Sequence, residues 1–108
     1  MTVKELSNIL ECQIICMPDE EREIGGGYAG DLLSWVIGRA SSNDVWVTIM
    51  SNLNIVAVAT LSDVSCILLA EGVTLDDEVR RVAEEKGVNI LNTQLSAYDA
   101  AVLLSKNL

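Results

Sequence analysis

The sequence predicts an α/β protein, a three-layer-like sandwich with a mainly parallel sheet of about four to five strands and flanking helices. From residue 31 onward, segments typical of helices alternate with segments typical of buried strands, as in parallel sheets with right-handed crossovers. Half of the 108 residues are apolar, which is ample material for a core. No linker or internal repeat interrupts the chain, so residues 1–108 are expected to form a single domain.

Local signals place the elements along the chain. Thr2 and Glu5 form a capping box before the first helix, and Asp31 stands where it could cap the second. Gly87 follows the most amphipathic segment, as expected of a residue just beyond a helix. The predicted helices cover residues 3–10, 31–39, 54–63, 74–87 and 96–106, and the predicted strands cover 12–16, 45–50, 65–70 and 89–93.

The segment over residues 54–63 is ambiguous, because its apolar residues alternate as they would in a strand. It lies between two strong strand predictions, and two parallel strands need a crossover connection between them. We therefore predict a short buried helix, with Asn52 or Asn54 as its cap.

The charge of the chain narrows the classes of partner. Sixteen acidic residues against seven basic ones give a formal charge of −9, which argues against nucleic acid and anionic membranes as partners. The sequence has no apolar stretch of about 18 residues and no signal-peptide pattern at its start, so a cytoplasmic location is expected. The rich apolar content predicts surface that is buried against a second copy, as in a homodimer.

The glycine-rich stretch Gly25-x-Gly27-x-x-Gly30 matches the spacing of a dinucleotide-binding fingerprint. Such a fingerprint must follow a buried strand, and here a charged segment precedes it. An acid about 20 residues further on should bind the ribose, but Asp44 comes too early and lies in a predicted turn. The glycines are therefore expected to permit a positive φ or a close backbone approach in a strand-like edge over residues 24–30.

Together with the residues just before it, the same stretch resembles a known domain signature. Glu21, Arg22, Gly25 and Gly26 are similar to the motif that names the DRTGG domain, with glutamate for the aspartate and Ile24 at the threonine position. The resemblance continues through Gly27, Tyr28 and Asp31, then through VWVTI, NIVAVA and NILNTQLSAYDAA. It implies an α/β fold similar to the N-terminal domain of HPr kinase/phosphorylase.

The same resemblance implies a regulatory or dimerising role rather than a known reaction. DRTGG domains accompany CBS domains, family II pyrophosphatases or phosphotransacetylases. This sequence contains no G-x-x-x-x-G-K-[ST] loop to hold ATP phosphates, so it does not support a kinase. Tyr28 and the segment from Glu21 to Asp31 are candidates for a self-association edge.

Catalytic and metal sites are not expected from the residue types. The sequence has no histidine, which excludes a Ser-His-Asp triad. Cys12 and Cys16, four apart, would share one face of a strand and could bind a metal with Cys66, but no fourth cysteine completes such a site. Small buried thiols are the favoured interpretation. The acidic run over residues 19–23 is interpreted as a solvated loop, with a divalent-cation site as the alternative.

One set of polar residues could bind a ligand. In open parallel sheets, ligands bind beyond the carboxyl ends of the strands. The residues predicted to lie there are small hydroxyls, amides and one acid: Thr48, Ser51, Asn52, Asn54, Glu71, Thr93, Gln94 and Ser96. They suit an adenine nucleotide or another anionic ligand, and they are equally what ordinary caps and turns require.

Overall fold

The structure is a computed structural model that describes residues 1–10 and 12–108. Its elements alternate along the chain as predicted from the second helix onward, and residues 54–62 are helical. The element bounds are α1 (Val3–Ile9), β1 (Gln13–Cys16), β2 (Gly26–Ala29), α2 (Leu33–Arg39), β3 (Asp44–Thr48), α3 (Asn54–Ser62), β4 (Cys66–Leu69), α4 (Asp77–Lys86), β5 (Ile90–Asn92) and α5 (Ala97–Asn107).

The strands form one five-stranded sheet in the order β1-β5-β4-β3-β2. Strands β2 to β5 are parallel to one another, and β1 runs antiparallel to β5 at one edge. Each parallel crossover moves one strand in the same direction, so right-handed crossovers place α2, α3 and α4 on one face. Helices α1 and α5 cover the other face. The predicted three-layer sandwich with a mainly parallel sheet is confirmed.

Each face of the sheet has its own core. On the α2–α3–α4 face, fully buried Trp46 packs with Ile67 and Ile90, and its indole Nε1 donates a hydrogen bond of 2.9 Å to the Gly30 carbonyl. On the α1–α5 face, Val45 and Leu91 pack with side chains of both helices. Burial on both faces explains why the central strands read as continuous apolar runs.

Several local signals are confirmed by the backbone. The Thr2 hydroxyl accepts from the Glu5 N–H at 3.2 Å, and the Glu5 carboxylate accepts from the Thr2 N–H at 3.1 Å. Gly87 ends α4 with φ of 74°, a left-handed conformation that costs glycine little. The Ser96 hydroxyl caps α5 by accepting from the Asp99 N–H at 3.0 Å.

Two predictions about side chains are wrong. Asp31 does not cap α2, which begins after Leu32; its carboxylate bonds to the residues at the end of β3 instead. Cys12 and Cys16 do not share a face, because the pairing of β1 with β5 shifts register between Ile14 and Cys16. Cys16 therefore belongs to the core under α2–α3–α4, whereas Cys12 packs on the opposite core.

Candidate functional site

The carboxyl ends of β2 to β5 lie at one edge of the sheet, because these strands are parallel. We call this edge the carboxyl rim. The polar residues that the sequence predicted for this rim stand at or after the ends of β3, β4 and β5: Thr48, Ser51, Asn52, Asn54, Glu71, Thr93, Gln94 and Ser96.

At the end of β3, a carboxylate organises the carboxyl rim. The Asp31 Oδ1 atom accepts a hydrogen bond of 2.7 Å from the Thr48 hydroxyl and one of 3.0 Å from the Ile49 N–H. The Thr48 Oγ1 atom in turn accepts from the Met50 N–H at 3.2 Å. Thr48 is only 1 % exposed, so its hydroxyl stabilises the end of β3 and is not on the surface.

The turn into α3 presents exposed amides and a hydroxyl. Neither asparagine is the N-cap of α3, because Leu53 occupies that position. The Asn52 Oδ1 atom nevertheless accepts from the Asn54 N–H at 2.9 Å, which satisfies one N–H of the first turn. Ser51, Asn52 and Asn54 are all exposed.

The loop after β4 is the strained part of the carboxyl rim. Glu71 has φ of 61° and Gly72 has φ of 71°, and a left-handed conformation is costly for a residue other than glycine. The Glu71 N–H donates to the Leu95 carbonyl at 2.8 Å. The Glu71 carboxylate accepts from the Ala97 N–H at 3.2 Å and thereby occupies the N-terminus of α5.

The loop after β5 completes the carboxyl rim. The Thr93 Oγ1 atom accepts from the Leu95 N–H at 3.2 Å, and the Thr93 carbonyl accepts from the Gly72 N–H at 2.9 Å. The side chain of Gln94 lies over Gly72, where a Cβ atom would stand 2.7 Å from its Oε1. The chain's own carboxylates, Asp31 and Glu71, thus take N–H groups that an external anion would otherwise use.

At the opposite edge of the sheet, Arg22 joins two turns. Its Nε donates to Asn43 Oδ1 at 2.9 Å, and its Nη2 donates to the Asp63 carbonyl at 2.9 Å and to Asp63 Oδ1 at 2.8 Å. Asn43 and Asp63 both have positive φ, at 70° and 56°. These turns lead into β3 and towards β4. We call this arrangement the Arg22 clamp.

Strand β2 forms the free edge of the sheet beyond β3. Two exposed apolar side chains follow it along the chain, Leu32 at 55 % and Trp35 at 51 %, and the Arg39 guanidinium stacks on the Trp35 ring at 3.7 Å. A groove of about 270 Å³ lies between β2 and α5, with Leu104 and Leu108 in its wall.

The glycines of β2 approach their own chain closely. A Cβ atom at Gly26 would stand 3.0 Å from Asp44 Oδ1, and one at Gly27 would stand 2.9 Å from Leu104 Cδ2. No glycine between Gly25 and Gly30 has a positive φ. Close packing, and not backbone conformation, therefore accounts for Gly26 and Gly27.

Comparison with known families agrees with this architecture. The DRTGG domain family matches residues 5–106. The chain belongs to the DRTGG domain family. One similar solved structure contains the CBS and DRTGG domains of the regulatory region of Clostridium perfringens pyrophosphatase, complexed with its activator, diadenosine tetraphosphate. It has a TM-score of 0.79 and 14 % sequence identity, over 99 % of this chain.

This DRTGG domain spans about half the length of that regulatory chain, 47 %. At this identity the likeness shows the fold. None of the curated proteins matches the chain.

The DRTGG signature separates into three places in the structure. Glu21 and Arg22 lie at the edge opposite the carboxyl rim, the latter in the Arg22 clamp. Gly25 leads into β2, which contains Gly26, Gly27 and Tyr28. Asp31 lies on the carboxyl rim. No sequence pattern indicates the partners of Arg22, because they are 21 and 41 residues away.

The thiols of this DRTGG domain are poor nucleophiles. Burial raises the pKa of Cys16 to about 11 and that of Cys66 to about 12, and it also raises the pKa of the half-buried Cys12. Neutral thiols neither attack carbonyls nor bind metals well. Across residues 1–10 and 12–108, no group of three or more metal-binding side chains is close enough together to hold an ion. No helix in the same ranges has the length and apolarity to span a membrane.

Proposed function

We propose that this DRTGG domain is a non-catalytic regulatory module that acts by self-association as a homodimer. The observations that carry this proposal are the edge position of β2 in the sheet and the exposed side chains of Leu32 and Trp35 in the segment that follows it along the chain. Exposed apolar surface at such an edge is typical of an interaction site. The similar structure, described as part of a regulatory region, supports a role of the same kind.

A role without catalysis is supported by the chemistry of the residues. The sequence has no histidine to activate a serine, and burial keeps the thiols protonated near neutral pH. The clustered carboxylates of the acidic segment over residues 19–23 lie on the surface. We also propose a cytoplasmic location, in keeping with three cysteines that are free thiols.

Sedimentation equilibrium tests the proposal directly. At micromolar concentration the protein should sediment with twice its protomer mass of 11.7 kDa. The dissociation constant should fall as salt rises, because salt screens the repulsion between two chains that each carry a charge of −9. A single species of 11.7 kDa at every concentration up to the millimolar range would contradict self-association.

A second candidate function is that of a sensor for an adenine nucleotide or another anionic ligand at the carboxyl rim. The similar structure contains a dinucleotide activator, which favours testing this class of compound. The candidate contacts remain Thr48, Ser51, Asn52, Asn54, Thr93, Gln94 and Ser96. The carboxylates of Asp31 and Glu71 weigh against an anion here, so this candidate ranks second.

A thermal-shift screen with AMP, ATP, diadenosine tetraphosphate and inorganic phosphate tests the sensor. Binding to the native state should raise the melting temperature in proportion to the logarithm of ligand concentration. The Asn52→Ala/Asn54→Ala variant should lose the shift, whereas Asn8→Ala, at an exposed position of α1, should keep it. Equal melting temperatures with and without every compound would remove the support for a sensor.

A further inference from the structure

The exposed side of α3 is an apolar surface without charge. Leu53 is 43 % exposed and Leu61 is 72 % exposed, and exposed Ala57 lies on the same side of the helix, four residues from each leucine. No charged residue occurs between Asp44 and Asp63. An exposed apolar surface of this kind, on a chain with a formal charge of −9, is typical of an interaction site.

A groove of about 360 Å³ between α3 and α4 extends this surface, and we call it the α3–α4 groove. Val82 and Lys86 form its wall on α4. Thr60 and Lys86 also line a smaller cavity beside Gly87, so these two side chains lie at the same level, near the C-terminal ends of both helices. Both helices connect successive parallel strands and run in the same direction, so Val82, one turn earlier than Lys86, lies level with Ala57.

The α4 wall of the groove carries opposite charges at its two ends. Glu78, Val82 and Lys86 recur every four residues and therefore share one side of the helix. Eight residues of helix span about 12 Å, which is too far for Glu78 to pair with Lys86 of the same chain. In the part of the chain that the structure describes, neither side chain takes part in an ion pair. Both charges are therefore available to a partner.

Charge complementarity and symmetry select a second copy as the occupant of the groove. A two-fold axis that passes beside Ala57 reverses the direction of α3 and α4 in the partner. It brings Leu53 opposite the partner's Leu61, and the small Ala57 side chain lets the two α3 helices approach closely at the axis. It also brings Glu78 opposite the partner's Lys86, so each copy supplies the charge that the other needs.

We propose that two copies associate through the α3–α4 groove, with α3 packed antiparallel on α3 of the second copy. This inference rests on the proposed self-association and assigns it to one surface. The leucines form an apolar centre around Ala57, and two symmetric ion pairs flank that centre. By contrast, α2 carries Arg39 as its only charged residue, so it offers no opposite charge to a second α2.

Charge reversal tests the pairing of Glu78 with the partner's Lys86. Glu78→Lys alone, or Lys86→Glu alone, should raise the dissociation constant of the dimer about tenfold in sedimentation equilibrium. The double variant Glu78→Lys/Lys86→Glu should bring it back to within about threefold of the wild type, because it restores both pairs. Glu78→Lys also makes the net charge of −9 less negative, so general repulsion alone would predict a tighter dimer.

A carboxylate at the two-fold axis tests the apolar centre. Ala57→Glu places two like charges side by side in the dimer and should raise the dissociation constant about a hundredfold. Ala57 is exposed and glutamate is a good helix former, so the circular dichroism of the protomer should not change. Ser105→Glu, at an exposed position of α5, adds the same charge away from the groove and should remain dimeric.

Ala57→Cys provides a second measurement that does not depend on charge. Two thiols beside the axis lie close enough for a disulfide between copies. Most of this variant should therefore run as a covalent dimer on a non-reducing gel after incubation with oxidised glutathione. The wild type, whose three cysteines are buried or half-buried, and Ser105→Cys should remain monomers on that gel.

The outcomes distinguish this inference from the proposed function. A wild type that is monomeric at every concentration would overturn both and would leave the groove to a protein of another kind. A dimer that survives Ala57→Glu but dissociates in Trp35→Ser would overturn only the α3–α4 groove and would assign self-association to the segment after β2. Equal dissociation constants for the wild type and both single charge variants would overturn the antiparallel arrangement.

Discussion

Replacement of Arg22 by alanine should destabilise the fold substantially, because the Arg22 clamp holds two left-handed turns. The side chain donates three hydrogen bonds, two of them to Asp63, and is itself only 27 % exposed. Asp63 is 62 % exposed, so the ion pair alone contributes less than about 1 kcal/mol. Bonds to Asn43 and the Asp63 carbonyl add about 1 kcal/mol each.

The expected loss for Arg22→Ala is therefore about 2–3 kcal/mol in the free energy of unfolding. For a domain of this size, that corresponds to a fall of roughly 10–15 °C in Tm. Urea denaturation followed by circular dichroism measures the loss, and the slope against urea should stay constant. Arg22→Lys should lose about half as much, because an ammonium group cannot reproduce the planar fork.

Arg81→Ala is the matched control, since Arg81 lies exposed on α4. Its effect should remain within about 0.5 kcal/mol. If Arg22→Ala is as mild as this control, the Arg22 clamp does not stabilise the turns.

The same variant should show a specific pH dependence. Hydrogen bonds from Ser42 and then from Arg22, with the charge of Arg22, hold the pKa of Asp63 below its ordinary value of 3.8. The unfolded chain therefore binds the proton more readily, and the stabilisation is complete above pH 3.8 and is lost as pH falls through the lower folded pKa. The gap in stability between wild type and Arg22→Ala should narrow over that acid range.

Three further predictions follow from packing, the carboxyl rim and the thiols. Gly27→Val should cost about 1–3 kcal/mol by urea denaturation, because its side chain would displace a leucine of α5, whereas Gly38→Ala, whose Cβ meets open space, should gain about 0.5–1 kcal/mol. Asp31→Ala should cost about 1–2 kcal/mol in the same assay, as two donors at the end of β3 lose their acceptor; an unchanged midpoint would contradict that role. Iodoacetamide at pH 8 should label half-buried Cys12 first and Cys66, whose pKa is about 12, only after unfolding, as mass spectrometry would show.

The fold was predictable because its strongest signals are local or topological. The capping box at Thr2 and the glycine after α4 depend on residues within one helical turn, and both are confirmed. The apolar residues of the segment 54–62 alternate as they would in a strand. The need for a crossover between parallel strands nevertheless correctly predicted a helix there. The predicted bounds of β3 differ from the observed ones: a strand was predicted over residues 45–50, and β3 covers Asp44–Thr48.

The candidate site was less predictable because its contacts join distant residues. An aspartate before a helix predicts an N-cap. The Asp31 carboxylate instead accepts a hydrogen bond from the hydroxyl of Thr48, 17 residues later. A register shift in β1 places Cys12 and Cys16 on opposite faces of the sheet, and no residue type in this strand predicts that shift. The glycine stretch was expected to approach a partner, yet Gly27 already packs closely on its own Leu104.

The two proposals share one physical connection through the end of β2. Gly30 follows the strand, its N–H donates to the Val47 carbonyl at 3.1 Å, and its own carbonyl accepts from the Trp46 indole. Asp31 then bonds to Thr48 on the carboxyl rim. A ligand that moved Asp31 would therefore also act on Gly30, which joins Asp31 to the end of β2. Because linkage is reciprocal, a rim ligand that tightens the dimer tenfold must also bind the dimer correspondingly more tightly than the monomer. Measuring dimer dissociation with and without a ligand from the thermal-shift screen would therefore separate a sensor from a module that only associates.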